Sequence, residues 1–91
     1  MDLKDYDILD VIPTGGYTLK LSFRNGREGQ IDFSKYFGEK PVYGRLKSDH
    51  ALFLDFKIES GILTWANGEI DIAPETIYHD VTGEPYPDWL Q

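Results

Sequence analysis

Two Asn-Gly dipeptides, at residues 25–26 and 67–68, each separate short segments in which apolar and polar residues alternate. Asn and Gly tolerate the positive φ angles of tight hairpin turns, and alternation with a period of two is typical of a strand with one buried face. The clearest segment is YTLKLSF, residues 17–23, in which an aromatic or aliphatic side chain occupies every second position. The chain is therefore predicted to fold as antiparallel hairpins.

A first group of three strands is predicted on either side of this segment. Residues 6–13 form the first strand, and Gly15-Gly16 turns the chain into the second. Beyond the first Asn-Gly turn, REGQIDF forms the third strand with Ile31 and Phe33 inward. Because the three strands follow one another along the chain, we expect a three-stranded antiparallel meander.

The middle of the chain lacks this regular pattern. Ser34 is predicted to cap a short turn, and Ser48, followed by DHALF, is predicted to be the N-cap of one or two helical turns. Leu54, Phe56 and Ile58 then resume the alternation of a strand. Residues 34–53 are therefore expected to connect two groups of strands.

The second group is centred on LTWANGEIDIAP, residues 63–74. Leu63 and Trp65 are predicted to share one face of a strand, and Asn67-Gly68 to make a two-residue type I′ turn. The returning strand EIDI, residues 69–72, leads to Pro74, which is tolerated at the first position of a short helix. This stretch is thus predicted to be a hairpin followed by a helix.

These patterns predict one small α+β domain over residues 1–80, with mostly antiparallel β-meanders and one or two short helices. An irregular tail is predicted over residues 81–91. Since 41% of the 91 residues are apolar and 14% are aromatic, a single thin core is feasible.

The formal net charge is −7, and it is unevenly distributed. Residues 1–47 hold eight Lys/Arg and seven Asp/Glu, whereas residues 48–91 hold nine Asp/Glu and only Lys57. An acidic surface repels the phosphate backbone, so direct nucleic-acid binding is not expected. A basic protein partner would instead be attracted. The alternative interpretation is that the acidic surface only keeps the protein soluble.

The compartment is predicted to be the cytoplasm. There is no cysteine, which is consistent with a reducing environment and excludes disulfides. The segment MDLKDYDILDV lacks the basic start and apolar run of a signal peptide. The sequence has no run of about 18 apolar residues that could cross a bilayer, so no membrane partner is expected.

No motif for metal, cofactor or nucleophile chemistry is recognised. The two histidines, His50 and His79, are not spaced as zinc ligands, so no metal site is predicted. The four serines lie outside any G-x-S-x-G motif, and the Gly-rich turns lack the lysine of a P-loop, so no cofactor is predicted.

Paired carboxylates offer one route to an enzyme. Asp71 and Glu75 lie four residues apart, and one of them could act as an acid or base if its neighbour stays ionised. Structural roles compete with this interpretation: Glu75 would lie in the first turn of the helix, where the helix dipole favours an anion. Asp71 would either point outward from the strand or bond backbone amides at the start of the helix. We favour the structural roles.

The segments LKLSFRNGREGQIDF and VYGRLKSDHALFLDFKIESGILTWANGEIDIAPETIY resemble a small bacterial family known as domain of unknown function 2442. The element from Trp65 to Tyr78 is the most specific part of the resemblance, which covers about residues 5–80. Ala66, where the family often has proline, and Ala73, a poor helix cap, depart from its pattern. The resemblance implies a compact, mostly antiparallel domain without an established activity. Members are often encoded beside another small protein, which suggests a toxin–antitoxin or paired-partner system.

The leading hypothesis is therefore a non-enzymatic protein-interaction module that binds a basic partner through its acidic C-terminal half, as the antitoxin-like member of a two-gene pair. Exposed aromatic residues beside acids are favoured at binding hot spots. The predicted partner-binding residues are Trp65, Asn67, Glu69, Asp71, Glu75, Tyr78 and Trp89. The alternatives are a small enzyme that uses Asp71 or Glu75, and a homodimer formed through unpaired strand edges.

Overall fold

The computed structural model describes residues 3–84 as two three-stranded antiparallel sheets and three short α-helices. The strands are β1 (Ile8–Gly15), β2 (Thr18–Phe23), β3 (Glu28–Asp32), β4 (Lys57–Glu59), β5 (Ile62–Trp65) and β6 (Ile70–Ile72). The helices are α1 (Gly44–Ser48), α2 (His50–Leu54) and α3 (Pro74–Thr82), with 3-10 turns at Leu3–Tyr6, Phe33–Tyr36, Pro41–Tyr43 and Ala66–Gly68. The predicted α+β fold with two meanders is confirmed, although the α-helices number three within these residues. Trp89 lies outside the described residues.

The first sheet has the order β1-β2-β3 and confirms the predicted meander. Leu19, Leu21 and Phe23 are at most 1% exposed, as the alternation of β2 predicts. The turn between β1 and β2 uses Gly16 at a φ of 53°, and the turn between β2 and β3 uses Gly26 at 91°. Both are left-handed conformations that glycine adopts without a steric penalty.

The connecting segment corrects both predicted caps. Asp32, and not Ser34, caps the first turn: its carboxylate accepts a hydrogen bond from the Ser34 amide at 2.9 Å. This backbone hydrogen bond lowers the pKa of Asp32. Ser48 is the last residue of α1, and Asp49 caps α2 by accepting from the Leu52 amide at 3.1 Å. The cap is one residue later than predicted because the backbone is extended only at Asp49.

We expect Asp49→Ala to destabilise the fold by about 1 kcal/mol, because α2 would lose the acceptor for one of its free amides. Asp49→Asn is the matched control, since asparagine caps as well as aspartate and should restore most of that loss. Urea denaturation followed by circular dichroism measures both values. Equal losses for the two variants would show that charge, and not capping, is the contribution of Asp49.

The second sheet has the order β4-β5-β6 and is shorter than predicted. Leu54 ends α2 and Phe56 precedes β4, so neither belongs to the strand that their alternation with Ile58 predicted. Residues 54–56 fail as a strand because α2 continues through Leu54. A two-residue turn joins β4 to β5: Ser60 and Gly61, with φ angles of 50° and 81°, connect the paired residues Glu59 and Ile62.

The predicted two-residue turn at Asn67-Gly68 is wrong. Trp65 pairs with Ile70, so residues 66–69 form a four-residue connection between β5 and β6. Ala66, Asn67 and Gly68 are all in the left-handed region, at φ angles of 53°, 56° and 90°. The alternation on either side is nevertheless as predicted: Leu63, Trp65, Ile70 and Ile72 are all buried.

Both sheets and the helices contribute to one hydrophobic core. Its largest fully buried side chains are Trp65, Tyr36, Phe23, Phe33 and Phe53. The Trp65 ring stacks on Phe53 at a centroid distance of 6.1 Å and meets Phe33 edge to face at 6.0 Å. The sheets are joined where the Ile8 amide donates to the Gly61 carbonyl at 2.9 Å.

Helix α3 begins at Pro74, as predicted, and packs on β3. The approach is close at Gly29, where an added Cβ would lie 2.6 Å from Cγ1 of Val81. The helix ends at Thr82, before Gly83 in the left-handed conformation of a C-cap. Val81 and Thr82, which the sequence assigned to an irregular tail, are therefore helical.

Candidate binding site

A cleft of about 320 Å³ lies between the helices α1 and α2 and the second sheet. Helices α1 and α2 provide Arg45 and Leu52, and the second sheet provides the floor with Thr64 and Trp65. The cleft is lined by Arg45, Leu52, Asp55, Lys57, Thr64, Trp65, Ala66, Asn67 and Glu69. Its volume is at the lower end of the range of about 300–1,000 Å³ typical of ligand pockets, so it suits one or two side chains.

The connection between β5 and β6 forms one wall of this cleft in a strained conformation. Ala66 and Asn67 both have positive φ angles although neither is glycine, and both line the cleft. Left-handed backbone at a non-glycine residue costs about 1–3 kcal/mol and is concentrated at functional sites. Ser60, at a φ of 50° in the turn between β4 and β5, shares this conformation but does not line the cleft.

Charged side chains surround the cleft. Arg45 donates a hydrogen bond to Glu69 at 3.1 Å, and Asp55 and Lys57 lie on the same lining. Lys57, Thr64 and Asp71 are directly paired across the three strands and so share the outward face of the sheet. The carboxylate of Glu59 also lies beside the loop, 3.8 Å from a Cβ built at Gly68.

The aromatic residues predicted to bind a partner do not have the exposure that this role requires. Trp65 is 1% exposed, and its indole donates a hydrogen bond to the Phe53 carbonyl at 2.8 Å. Tyr78 is 3% exposed and stacks on Tyr6 at 4.4 Å. Both rings are primarily part of the core, because a domain of this size needs its large rings for packing.

The polar residues predicted for the site fall into two groups. Asn67 and Glu69 are exposed and line the cleft. Asp71 is exposed on β6, where it pairs with Thr64 of β5, and its backbone carbonyl accepts a hydrogen bond from the Tyr43 hydroxyl at 3.0 Å. Glu75 is half-buried in the first turn of α3. Of these four polar residues, Asn67 and Glu69 line the cleft, and Asp71 and Glu75 do not.

The sequence profile of the family described as "Protein of unknown function (DUF2442)" matches residues 8–83, which include both sheets and helix α3. The chain belongs to the DUF2442 family. This confirms the resemblance found in the sequence. Searches of curated proteins and of solved structures give no significant match.

Several lining residues of this DUF2442 domain were missed by sequence reasoning. They are Arg45, Leu52, Asp55, Lys57, Thr64 and Ala66. Arg45 lies in a segment without periodic pattern, and Thr64 has the outward position that sequence alone assigns to solvent. A signal existed for Asp55 and Lys57, since both are polar residues within the alternating segment 54–59.

A second polar network in the DUF2442 domain joins the turn between β2 and β3 to helix α3 and Glu84. None of its residues lines the cleft. The Tyr78 hydroxyl donates to the Glu84 carboxylate and accepts from the Asn25 amide at 2.9 Å, and Arg27 pairs with Glu84. Burial and the hydrogen bond to Glu84 raise the pKa of Tyr78. The Tyr78 hydrogen bond, together with Arg27, lowers the pKa of Glu84.

We expect this network to weaken in acid. The folded state lowers the pKa of Glu84. The ionised Glu84 side chain therefore stabilises the fold fully above the ordinary glutamate pKa of about 4.3. This stabilisation is lost as the pH falls through the lowered pKa of the folded state. Glu84→Gln should therefore show a flatter decline of unfolding free energy between about pH 5 and pH 3 than the parent. Urea titrations at each pH measure this, with Glu39→Gln as a control for an exposed carboxyl. Parallel curves for the parent and Glu84→Gln would contradict the expectation.

Within residues 3–84, no three His, Asp or Glu side chains are grouped so that they could hold a metal ion. The helices of this part of the chain are all too short or too polar to span a bilayer.

Proposed function

We propose that this DUF2442 domain is a protein-interaction module that binds a basic segment of a cytoplasmic partner at the cleft. The observation that carries the proposal is the set of exposed carboxylates around it, here called the acidic face: Asp55, Glu59, Glu69 and Asp71.

The charge balance of this region supports a cationic partner. Against the four carboxylates of the acidic face, residues 55–72 contain a single basic residue, Lys57. Arg45 reaches the same cleft from α1 but is already paired with Glu69. A surface of one predominant sign speeds association with an oppositely charged partner and excludes partners of like charge.

The shape of the cleft supports binding of a segment and not of a flat surface. Leu52 and Ala66 give the lining an apolar part, beside the charged side chains that also line it. Pockets with apolar walls and a few placed polar groups are typical of specific ligand sites. The strained loop at Ala66 and Asn67 adds a fixed wall.

Capture experiments at several salt concentrations test the proposal. Tagged protein is compared with Glu59→Gln/Glu69→Gln/Asp71→Asn, here called the acidic-face variant, which removes three of the four carboxylates of the acidic face. The matched control Asp10→Asn/Glu28→Gln/Glu39→Gln removes the same charge from exposed residues elsewhere. We expect a stoichiometric basic partner that is released by salt, lost by the first variant and kept by the second. Equal capture by the two variants, or no partner at any salt, would refute the proposal.

An antitoxin-like role is the finer form of this proposal, and it is supported by the resemblance to proteins encoded in pairs. The product of the adjacent gene is then the expected partner. Co-expression should give a complex that survives purification, and the acidic-face variant should restore any toxicity of that product. A neighbour that neither binds nor harms the cell would refute this role.

Self-association is a second candidate, favoured by the exposed apolar residues Leu9 and Ile12, which are 56% and 50% exposed on the edge strand β1. Pro13 and the irregular pairing near Leu9 oppose it, because a missing amide and a bulge both interrupt strand pairing. Light scattering decides: a dimer mass that Leu9→Lys converts to a monomer supports the candidate, and a monomer at high concentration excludes it.

A further inference from the structure

The ion pair between Arg45 and Glu69 links two sides of the cleft. Arg45 belongs to α1, Glu69 belongs to the loop that precedes β6, and both line the cleft. One nitrogen of the guanidinium, Nη1, lies 3.1 Å from Oε2 of Glu69. The cleft thus already contains an arginine from its own chain.

We propose that the cleft binds an arginine side chain of the partner, whose guanidinium pairs with Glu69 in place of Arg45. This inference rests on the proposed function and specifies the group that the site recognises. In the free protein Arg45 acts as an internal competitor for Glu69, and binding exchanges one guanidinium for the other.

Displacing Arg45 is easy. Its side chain is 52% exposed and that of Glu69 is 68% exposed, so water screens the attraction between them. Exposed ion pairs of this kind contribute little to stability. The pair also uses only one guanidinium nitrogen, whereas an incoming arginine can present two parallel N–H groups to a carboxylate.

The rest of the lining suits the remainder of an arginine side chain. Leu52 and Ala66 offer apolar surface for the methylene stem, which arginine readily buries while its charged end stays near water. Asp55 lies on the same lining and takes part in none of the ion pairs between described residues. It is therefore a second carboxylate available to the guanidinium.

The test is an NMR titration with the capped peptide acetyl-Gly-Arg-Gly-amide and its lysine counterpart. We expect shifts at the backbone amides of Asn67, Gly68 and Glu69 with the arginine peptide, and weaker binding of the lysine peptide. Arg45→Gln should bind the arginine peptide about two- to fivefold more tightly than the parent, because the competitor is gone. Glu69→Gln should bind it at least threefold more weakly.

The matched control is Lys47→Gln, which removes the same charge from an exposed position of the same helix outside the cleft lining. If Arg45→Gln binds no more tightly than Lys47→Gln, general charge explains the gain and the inference is overturned. Absence of shifts in the loop, or equal binding of the lysine peptide, also overturns it. The capture experiment is independent of these peptides, so a partner lost by the acidic-face variant would leave the proposed function standing even then.

Discussion

Replacing Trp65 with alanine will destabilise the domain by about 3–5 kcal/mol, the cost of removing a large buried ring from a core. Native proteins have a total stability of about 5–15 kcal/mol, so this loss is a large fraction of the total and at the lower end of that range approaches all of it. The reason is that Trp65 is 1% exposed and packs against Phe53 and Phe33. Urea denaturation monitored by circular dichroism gives the value.

Trp65→Phe is the matched control, because it retains an aromatic ring and removes the indole N–H. The Phe53 carbonyl then loses its 2.8 Å hydrogen bond, which should cost about 1–3 kcal/mol. A small loss for Trp65→Ala, below that of the phenylalanine variant, would mean that Trp65 is not a core residue and would return it to the group of partner-binding candidates.

Gly61→Ala is expected to destabilise the domain by about 2–5 kcal/mol, from the left-handed backbone and from overpacking together. Gly61 has a φ of 81°, and an added Cβ would lie 2.7 Å from Cβ of Asp7. The position also holds the junction of the sheets, because the Gly61 carbonyl accepts from the Ile8 amide.

Gly83→Ala separates the two causes. Gly83 has a similar φ of 76°, but nothing lies within 4 Å of its added Cβ. It should therefore show only the backbone cost of about 1–2 kcal/mol. Thermal and urea unfolding of the two variants give the difference, which measures the clash with Asp7. Equal losses would show that the segment before β1 moves aside freely.

The strands were predictable because their signal is local. In β2 the buried Leu19, Leu21 and Phe23 follow directly from the period of two. The same reasoning located Leu63, Trp65, Ile70 and Ile72 correctly even though the loop between them was wrong. The buried face of a strand follows from the alternation of apolar and polar residues within that strand. An error in the predicted turn therefore does not change which side chains are predicted to be buried.

The turns and caps were less predictable, since several residues can serve equally well in isolation. Both Ser48 and Asp49 are good N-caps, and only the extended backbone at Asp49 decides between them. Asn67-Gly68 has the composition of a type I′ turn, yet the two-residue turn with paired positive φ angles occurs at Ser60 and Gly61. The pairing of Trp65 with Ile70 lengthened the second loop.

The cleft was the least predictable part, because it combines residues that are distant in the chain. Arg45 and Glu69 are 24 residues apart, and nothing in their local sequence indicates that they meet. Asn67 and Glu69 were predicted for the site from charge and from the turn, and the cleft lining includes both, together with the buried Trp65. Charge composition thus pointed to residues that line the cleft, whereas the aromatic residues Trp65 and Tyr78 are buried in the core.

The stacking of Tyr6 on Tyr78 places the first 3-10 turn beside α3, so the first and last elements of the described residues lie side by side. The bond from Tyr78 to Glu84 holds the last described residue at the same place. A domain with adjacent ends can be inserted into a surface loop of a host protein, or circularly permuted through a short linker, without spreading the host's own backbone. Residues 3–84 thus have the geometry of a module suited to domain insertion.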